Sequence, residues 1–415
     1  MIFFIYQLFI SIILLFSPII VIFRLLKKKE DKFRVKEKFC FPSRIRNKGK
    51  LIWFHGSSVG EIMSAIPIIR KYEKNKNIKK ILITSSTLSS SKILKNMNFK
   101  KIIHQFYPID HFLFSNKFLN YWQPSVAIFL ESEIWPSMFR SIKKNKIPLI
   151  LLNARITQKT FNRWYKIKSF SNSIFNLIDI AYPQNFETKT FLKKLDVKHI
   201  KSIGNLKFIE NDQYKYNEID KNLFSQFKNY ETFIAASTHD KEELFAAKVH
   251  KILKKRKKNL ITIIIPRHIN RVRQIINEIK SLDLNVIIHS SKNKKLQDID
   301  IYIVDTFGES KKFYKISTSV FLGGSIVNKG GQNPLEPARF GAKILYGPNV
   351  DNFREVYKYL DDLEISKKVK TPLECSNLIV FKKNMKNIRK MKYLGEKILK
   401  KTLNELDKTI NNEIK

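Results

Sequence analysis

Short apolar runs separated by segments of helical spacing recur along the whole chain, and that alternation leaves few folds open. The runs fall at 51–55, 81–84, 102–107, 126–130, 148–152 and 179–182, and again at 232–236, 260–265, 285–288, 299–304, 319–322 and 343–346. Most are short and mainly apolar, as strands covered on both faces are. Between them apolar residues return every three or four positions, as Ile62, Ala65, Ile66 and Ile69 do. Strand and helix in regular turn argue for α/β domains, each a parallel sheet with helices on both faces. Two such series in 415 residues argue for two doubly wound domains. The expected divisions are an apolar helix at 1–26, a first α/β domain at 27–200, a second at 201–385, and a charged helical segment at 386–415 with the option of crossing back to the first domain. Open sheets bind ligands beyond the carboxyl ends of their strands, so two of them imply a cleft with both of those edges facing it.

The densest local signal closes the second series. Gly323 and Gly324 end an apolar run, Gly330 and Gly331 relax the backbone again, and Asn333-Pro334-Leu335-Glu336 follows. Asn is a good helix N-cap, Pro suits the first helical position, and Glu at the third can reach back to the cap. A helix is expected from Pro334 to Gly341, after a loop with many free N–H groups. Such a helix start attracts anions, phosphate above all. An ordinary well-capped turn explains the same residues, since Gly-rich motifs are weak on their own.

No charged residue occurs from Ile2 to Phe23. As a helix that stretch is roughly 33 Å long, enough for a hydrocarbon core of about 30 Å. Ser17-Pro18 is a candidate kink of a kind bilayer helices tolerate. Arg24, Lys27, Lys28, Lys29, Lys32 and Arg34 follow, and positive charge stays on the cytoplasmic side. A cleaved signal peptide competes, but the basic start and the small-residue cleavage pattern are missing. The expectation is an uncleaved, single-pass transmembrane anchor with the remainder cytoplasmic.

The net charge is +42, from 78 basic and 36 acidic residues. The lysines are spread along the chain and no nucleic-acid motif accompanies them, so nucleic acid is not an expected partner. An anionic membrane surface or an acidic substrate is. Cys40 and Cys375 have neither metal spacing nor a disulfide framework, which fits a reducing compartment.

The residues with chemistry to offer fall just after expected strands. Glu61 follows the first, in a Gly-Ser-Ser-Val-Gly-Glu turn where Ser58 and Glu61 also fit a capping box. Glu131 to Pro136 follows the run at 126–130, Asn153-Ala154-Arg155 that at 148–152, Ser237-Thr238-His239 that at 232–236, Pro266-Arg267-His268 that at 260–265, and Asp305 to Glu309 that at 299–304. Each has a plain structural explanation: Glu131 can pair with Arg155, Arg267 can be a solvated loop end, and His55, His239 and His268 can be satisfied core groups. Six such placements on one edge of two sheets point to ligand binding.

Taken together, SSVGE at 57–61, ESEIWP at 131–136, LNARIT at 152–157, GNLKF at 204–208, ASTH at 236–239, PRH at 266–268, DTFGE at 305–309 and GGSIVNKGGQNPLEP at 323–337 resemble the bacterial 3-deoxy-D-manno-octulosonic acid (Kdo) transferases. The motifs come in that family's order, from about Lys38 to Tyr359. The resemblance implies a GT-B fold, with two Rossmann-like domains facing a cleft. It implies a glycosyltransferase that moves Kdo from CMP-Kdo to the glucosamine disaccharide lipid A precursor, with inversion, in lipopolysaccharide biosynthesis at the bacterial inner membrane. Neither a cofactor nor a metal is implied.

By the same resemblance, Glu61 is the general base, and Glu131 and Lys207 stabilise the transition state. Pro266, Arg267, Phe307, Gly308, Glu309, Asn333, Pro334, Leu335 and Glu336 match the CMP-contacting positions. Gln332 stands where the family usually has His, and Phe307 where Met is common; either change bears on donor affinity. For Glu61, the positive end of its helix argues for an ionised carboxylate, as a base requires. Two other readings of the chain are a GT-B transferase using a uridine nucleotide sugar and a non-catalytic, membrane-tethered binder of anionic lipid.

Overall fold

The computed structural model describes residues 2–210, 219–291 and 294–414. Met1 of the expected anchor, residues 211–218 and 292–293 of the expected second domain, and Lys415 lie outside the described residues. The chain forms two compact units, Met1–Asn211 with Gly395–Lys415, and Asp212–Leu394.

The first unit is built on a six-stranded sheet of order β3-β2-β1-β4-β5-β6, parallel throughout. The strands are β1 Leu51–His55, β2 Lys80–Ser85, β3 Ile102–Phe106, β4 Val126–Leu130, β5 Leu149–Ala154 and β6 Ile180–Pro183. All five side chains of β1 and of β4 are buried, which is why these runs lack the polar alternation of a one-sided sheet. Trp53, Phe54 and Phe129 are fully enclosed, and burying each ring contributes about 2 kcal/mol. The Trp53 indole N–H donates to Thr84 Oγ1 at 2.8 Å, so its polar atom is not stranded. Strand order reverses between β1 and β4, and ligands of open sheets sit outside the strand ends at such a point.

The second unit holds a seven-stranded parallel sheet of order β13-β12-β11-β7-β8-β10-β9. Its strands are β7 Glu231–Thr238, β8 Leu260–Pro266, β9 Val286–Ile288, β10 Ile301–Ile303, β11 Ser319–Leu322, β12 Lys343–Tyr346 and β13 Ser366–Lys368. β9 and β10 are shorter than their apolar runs, and at their start the Asp300 carboxylate takes the Asn285 N–H at 3.0 Å. β13 carries two exposed lysines and no apolar run, so periodicity does not find it; charge is what blunts an edge strand against pairing with another chain.

The Ile2–Leu26 helix runs unbroken through Pro18. Pro18 has no N–H for the Leu14 carbonyl four residues back, and the Ser17 hydroxyl donates to that carbonyl instead, at 2.7 Å. The helix is long and apolar enough to cross a membrane. Its first turns carry polar groups that bond to the first unit: the Tyr6 hydroxyl donates to Asp110 Oδ2 at 2.6 Å, and Gln7 Nε2 to Ser137 Oγ at 2.6 Å. At the other end of the chain, the Met385–Ile414 helix belongs to the first unit from Gly395 onward. There the Tyr72 hydroxyl donates to Asp407 at 3.0 Å, and Lys201 pairs with Glu405 at 2.8 Å. A Cβ on Gly395 would stand 2.8 Å from the Phe208 carbonyl, so glycine is what lets this helix approach.

Candidate active site

At the carboxyl edge of the first sheet, β1 ends at His55 and Gly56 turns the chain into the Val59–Glu73 helix. Ser58 is the N-cap, and the capping box is complete: Glu61 N–H donates to Ser58 Oγ at 3.3 Å, and Ser58 N–H to Glu61 Oε2 at 3.2 Å. The helix end does not keep Glu61 strongly ionised. Burial first, then the charges of Glu133 and Glu131, outweigh the bonds from Ser58 and push its carboxyl up to about 7. Desolvation and like charge act on the whole ionised form, whereas a helix end contributes a few tenths of a kcal/mol to about one.

Glu131 follows β4. It is buried and sits in the left-handed region at φ 51°, a conformation that costs a non-glycine residue about 1 kcal/mol or more. Its backbone is held on both sides, donating to the Leu152 carbonyl at 3.0 Å and accepting from Arg155 N–H at 3.1 Å. The Glu131 carboxylate is paired with Lys207 Nζ at 2.9 Å, and Arg155 reaches this residue through its backbone N–H.

Lys207 lies on the short Leu206–Phe208 turn, which is pinned from below. Asn205 Oδ1 accepts Lys207 N–H at 2.9 Å, and Asn153 Oδ1 accepts Leu206 N–H at 3.0 Å. Asn153 is fully buried with φ 53° at the register shift that ends β5. It is a supporting residue that sequence reasoning left without a role, although it falls in the Asn-Ala-Arg after an apolar run and in the LNARIT motif at 152–157. Glu61, Glu131 and Lys207 therefore share one strand edge, on three separate chain segments.

Glu133 joins them. Its Oε2 accepts from Ser57 Oγ at 2.5 Å, Trp135 Nε1 at 2.8 Å and His55 Nε2 at 3.1 Å. Burial would raise this carboxyl, but those three bonds and the His55 charge interaction outweigh it and hold it below the usual range.

The second unit sets its candidates on the carboxyl edge of its own sheet. Pro266 ends β8, Arg267 is exposed beyond it, and the Arg267 N–H donates to the Thr238 carbonyl at 2.9 Å. Phe307 stands 86% exposed after β10, followed by Gly308 at φ 85°. Glu309 meets Lys312 at 2.6 Å, and Lys311 lies 3.4 Å from Glu336, so the 307–312 and 333–336 segments are neighbours. His239 is surrounded by cationic groups. Burial first lowers its basicity; Glu242 opposes this, while His268, Lys329 and Arg267 add to it.

Two expectations about this edge need correction. The N–H groups at the start of the glycine loop, those of Gly324, Ser325 and Ile326, are not free. The fully buried Glu242 takes Gly324 N–H at 2.6 Å, Ser325 N–H at 3.0 Å, Ile326 N–H at 2.9 Å and His239 N–H at 2.9 Å. A carboxylate of the protein thus occupies the nest that the sequence offers to a phosphate. The following helix is only Leu335–Arg339, with Pro334 at the cap and no side-chain cap bond. Asn333 Oδ1 accepts from Leu335 N–H at 3.1 Å, one residue short of a capping box, and Glu336 turns to Lys311. Pro334 and Leu335 are buried, while Asn333 and Glu336 are half-buried. Among the described residues no group of three or more His, Cys, Asp or Glu could hold a metal ion.

Two parallel α/β sheets, each with its functional candidates on the carboxyl edge, give the chain a GT-B-like fold. A solved structure of the glycotransferase of kitacinnamycin matches with a TM-score of 0.51, at 9% identity over 88% of this chain and 100% of that one, a likeness of fold. The sequence profile described as "3-Deoxy-D-manno-octulosonic-acid transferase (kdotransferase)" matches residues 33–210. A Rickettsia bellii protein named 3-deoxy-D-manno-octulosonic acid transferase is 34% identical over 94% of this chain and 94% of its own. One of the same name from Haemophilus influenzae is 28% identical over 85% and 84%. The chain belongs to the Kdo transferase family.

Proposed function

We propose that the protein transfers Kdo from CMP-Kdo to the glucosamine disaccharide lipid A precursor (lipid IVA), with inversion at the anomeric carbon and without a metal. The observation that carries this reading is the Glu61 carboxyl, raised to about 7 beside the Glu131–Lys207 pair, in a chain of this family. A base works best when its pKa lies near the working pH. An acceptor hydroxyl gives its proton to Glu61 as its oxygen forms a bond to the anomeric carbon. The bond from that carbon to the phosphate breaks on the opposite face, and CMP leaves with the electron pair. The sugar passes through a cationic, oxocarbenium-like centre. The carboxylate of Glu131, held in place by Lys207, is a fixed negative charge for that centre.

The donor belongs to the second unit. Arg267 and the cationic surroundings of His239 favour an anionic phosphate, and the exposed Phe307 ring offers a face for the cytosine. With the Gly324, Ser325 and Ile326 N–H groups taken by Glu242, the phosphate's donors are side chains and the Asn333–Glu336 segment. The N-terminal helix holds the enzyme at the bacterial inner membrane, where a lipid acceptor stays, with both units in the cytoplasm that supplies the soluble donor. Changing Glu61 to Gln tests the base: transfer is expected to be lost with CMP binding retained by calorimetry. Full transfer in that variant removes Glu61 from the role. CMP displacing bound CMP-Kdo better than UDP does tests the donor.

A further inference from the structure

Glu133 has no part in the chemistry outlined above, yet more side-chain donors converge on its carboxylate than on Glu61. The donors are not mobile surface groups. The His55 ring is fully buried and stacks on Tyr107 with centroids 3.8 Å apart, and Tyr107 in turn lies 5.1 Å from Trp135. Trp53 donates to Thr84 Oγ1 at 2.8 Å, His55 Nδ1 lies 2.9 Å from the same oxygen and 3.3 Å from the Thr84 carbonyl, and His55 Nε2 faces Glu133 at 3.1 Å. A buried chain of hydrogen bonds therefore links Trp53 through Thr84 and His55 to this one carboxylate.

The third donor, Ser57, is the residue before the Ser58 cap that grips Glu61. We propose that Glu133 is the positioning residue of the catalytic base: it anchors the Ser57–Ser58 turn through Ser57 and sets a fixed negative charge beside Glu61. The proposal rests on the reading of Glu61 as base. Its electrostatic half has a definite sign. The charged groups facing Glu61 are Glu133 and Glu131 on the loop after β4, with Lys207 from the Leu206–Phe208 turn bound to Glu131; His55 and Tyr107 face Glu133. Burial comes first in raising Glu61, and Glu133 is the largest charge acting on it. Removing that negative charge eases ionisation of Glu61.

Two variants separate charge from geometry. Glu133→Gln keeps an oxygen for Ser57 and His55 but loses the charge. The acid limb of its kcat/KM profile should move to lower pH, by about one unit or less. Ser57→Ala keeps the charge and cuts the tie to the turn. Its kcat should fall about tenfold, with the acid limb in place and KM for CMP-Kdo unchanged. An E133Q limb at the wild-type position overturns the electrostatic half, and wild-type kcat in S57A overturns the positioning half. An active Glu61→Gln enzyme, by contrast, sinks the base itself whatever Glu133 does.

Discussion

The two strand edges handle charge in opposite ways. On the first unit, Glu61, Glu131 and Glu133 crowd together, and the protein supplies its own partners: Lys207 for Glu131, and Ser57, His55 and Trp135 for Glu133. Only Glu61 is left with nothing better than a capping bond, and its carboxyl rises to about 7 as a result. On the second unit the buried carboxylate, Glu242, is saturated by backbone N–H groups, and the groups left at the surface are an exposed arginine and an exposed aromatic ring. One edge is a prebuilt proton-handling site; the other is a rigid frame that presents side chains. A carboxyl poised to change its charge has to be underserved, whereas a frame has to be satisfied.

The strongest way to break that contrast is Glu61→Gln, expected to lower kcat about a thousandfold with CMP affinity unchanged. In the unaltered enzyme, kcat/KM should fall tenfold for each pH unit below about 7, because the raised carboxyl is the active base only when ionised, above that value. A flat profile between pH 5 and 7 would contradict the placement of Glu61, buried beside the like charges of Glu133 and Glu131. Next in size is Glu242→Gln. An amide keeps one accepting oxygen and turns an NH2 group toward N–H donors, so at least two buried N–H groups lose their partner, at about 3 kcal/mol in all. The unfolding midpoint in urea should drop accordingly. Wild-type stability would show that the glycine loop does not depend on this carboxylate. Lys207→Met leaves Glu131 buried without its counter-ion, and kcat should fall about a hundredfold with the donor KM little changed.

These differences also mark how far the sequence could be read. The parallel sheets were legible because strands such as 51–55 and 126–130 are apolar on both faces, and the capping box at Ser58 because its residues are three positions apart in the chain. The partners of the charged groups were not. Lys207 comes to Glu131 from 76 positions downstream, through the bonds of Asn153 and Asn205, and nothing in the local pattern favours it over the nearer Arg155. Glu242 reaches the glycine loop from the start of a helix more than 80 residues upstream. At Glu61 a local helix dipole is outweighed by burial and like charge, neither of which is visible in the neighbouring residues.

The smallest effect tests the presenting edge at its most exposed point. Arg267→Ala should weaken CMP binding about tenfold, as loss of a charged hydrogen-bonding group to a phosphate does. Phe307 should matter less and in a different way. Its ring is 86% exposed and Gly308, at φ 85°, follows it, so the side chain is set out from the surface with little packing to lose. If it serves as a stacking face for the cytosine, Phe307→Ala should raise the Kd for CMP about fivefold, near the low end of what base–aromatic stacking contributes. Ribose 5-phosphate, which has the sugar and phosphate and no base, should bind both proteins equally. Arg267→Ala should instead weaken both ligands. Equal losses for CMP and ribose 5-phosphate in the Phe307 variant would mean that the ring supports the loop and does not touch the base.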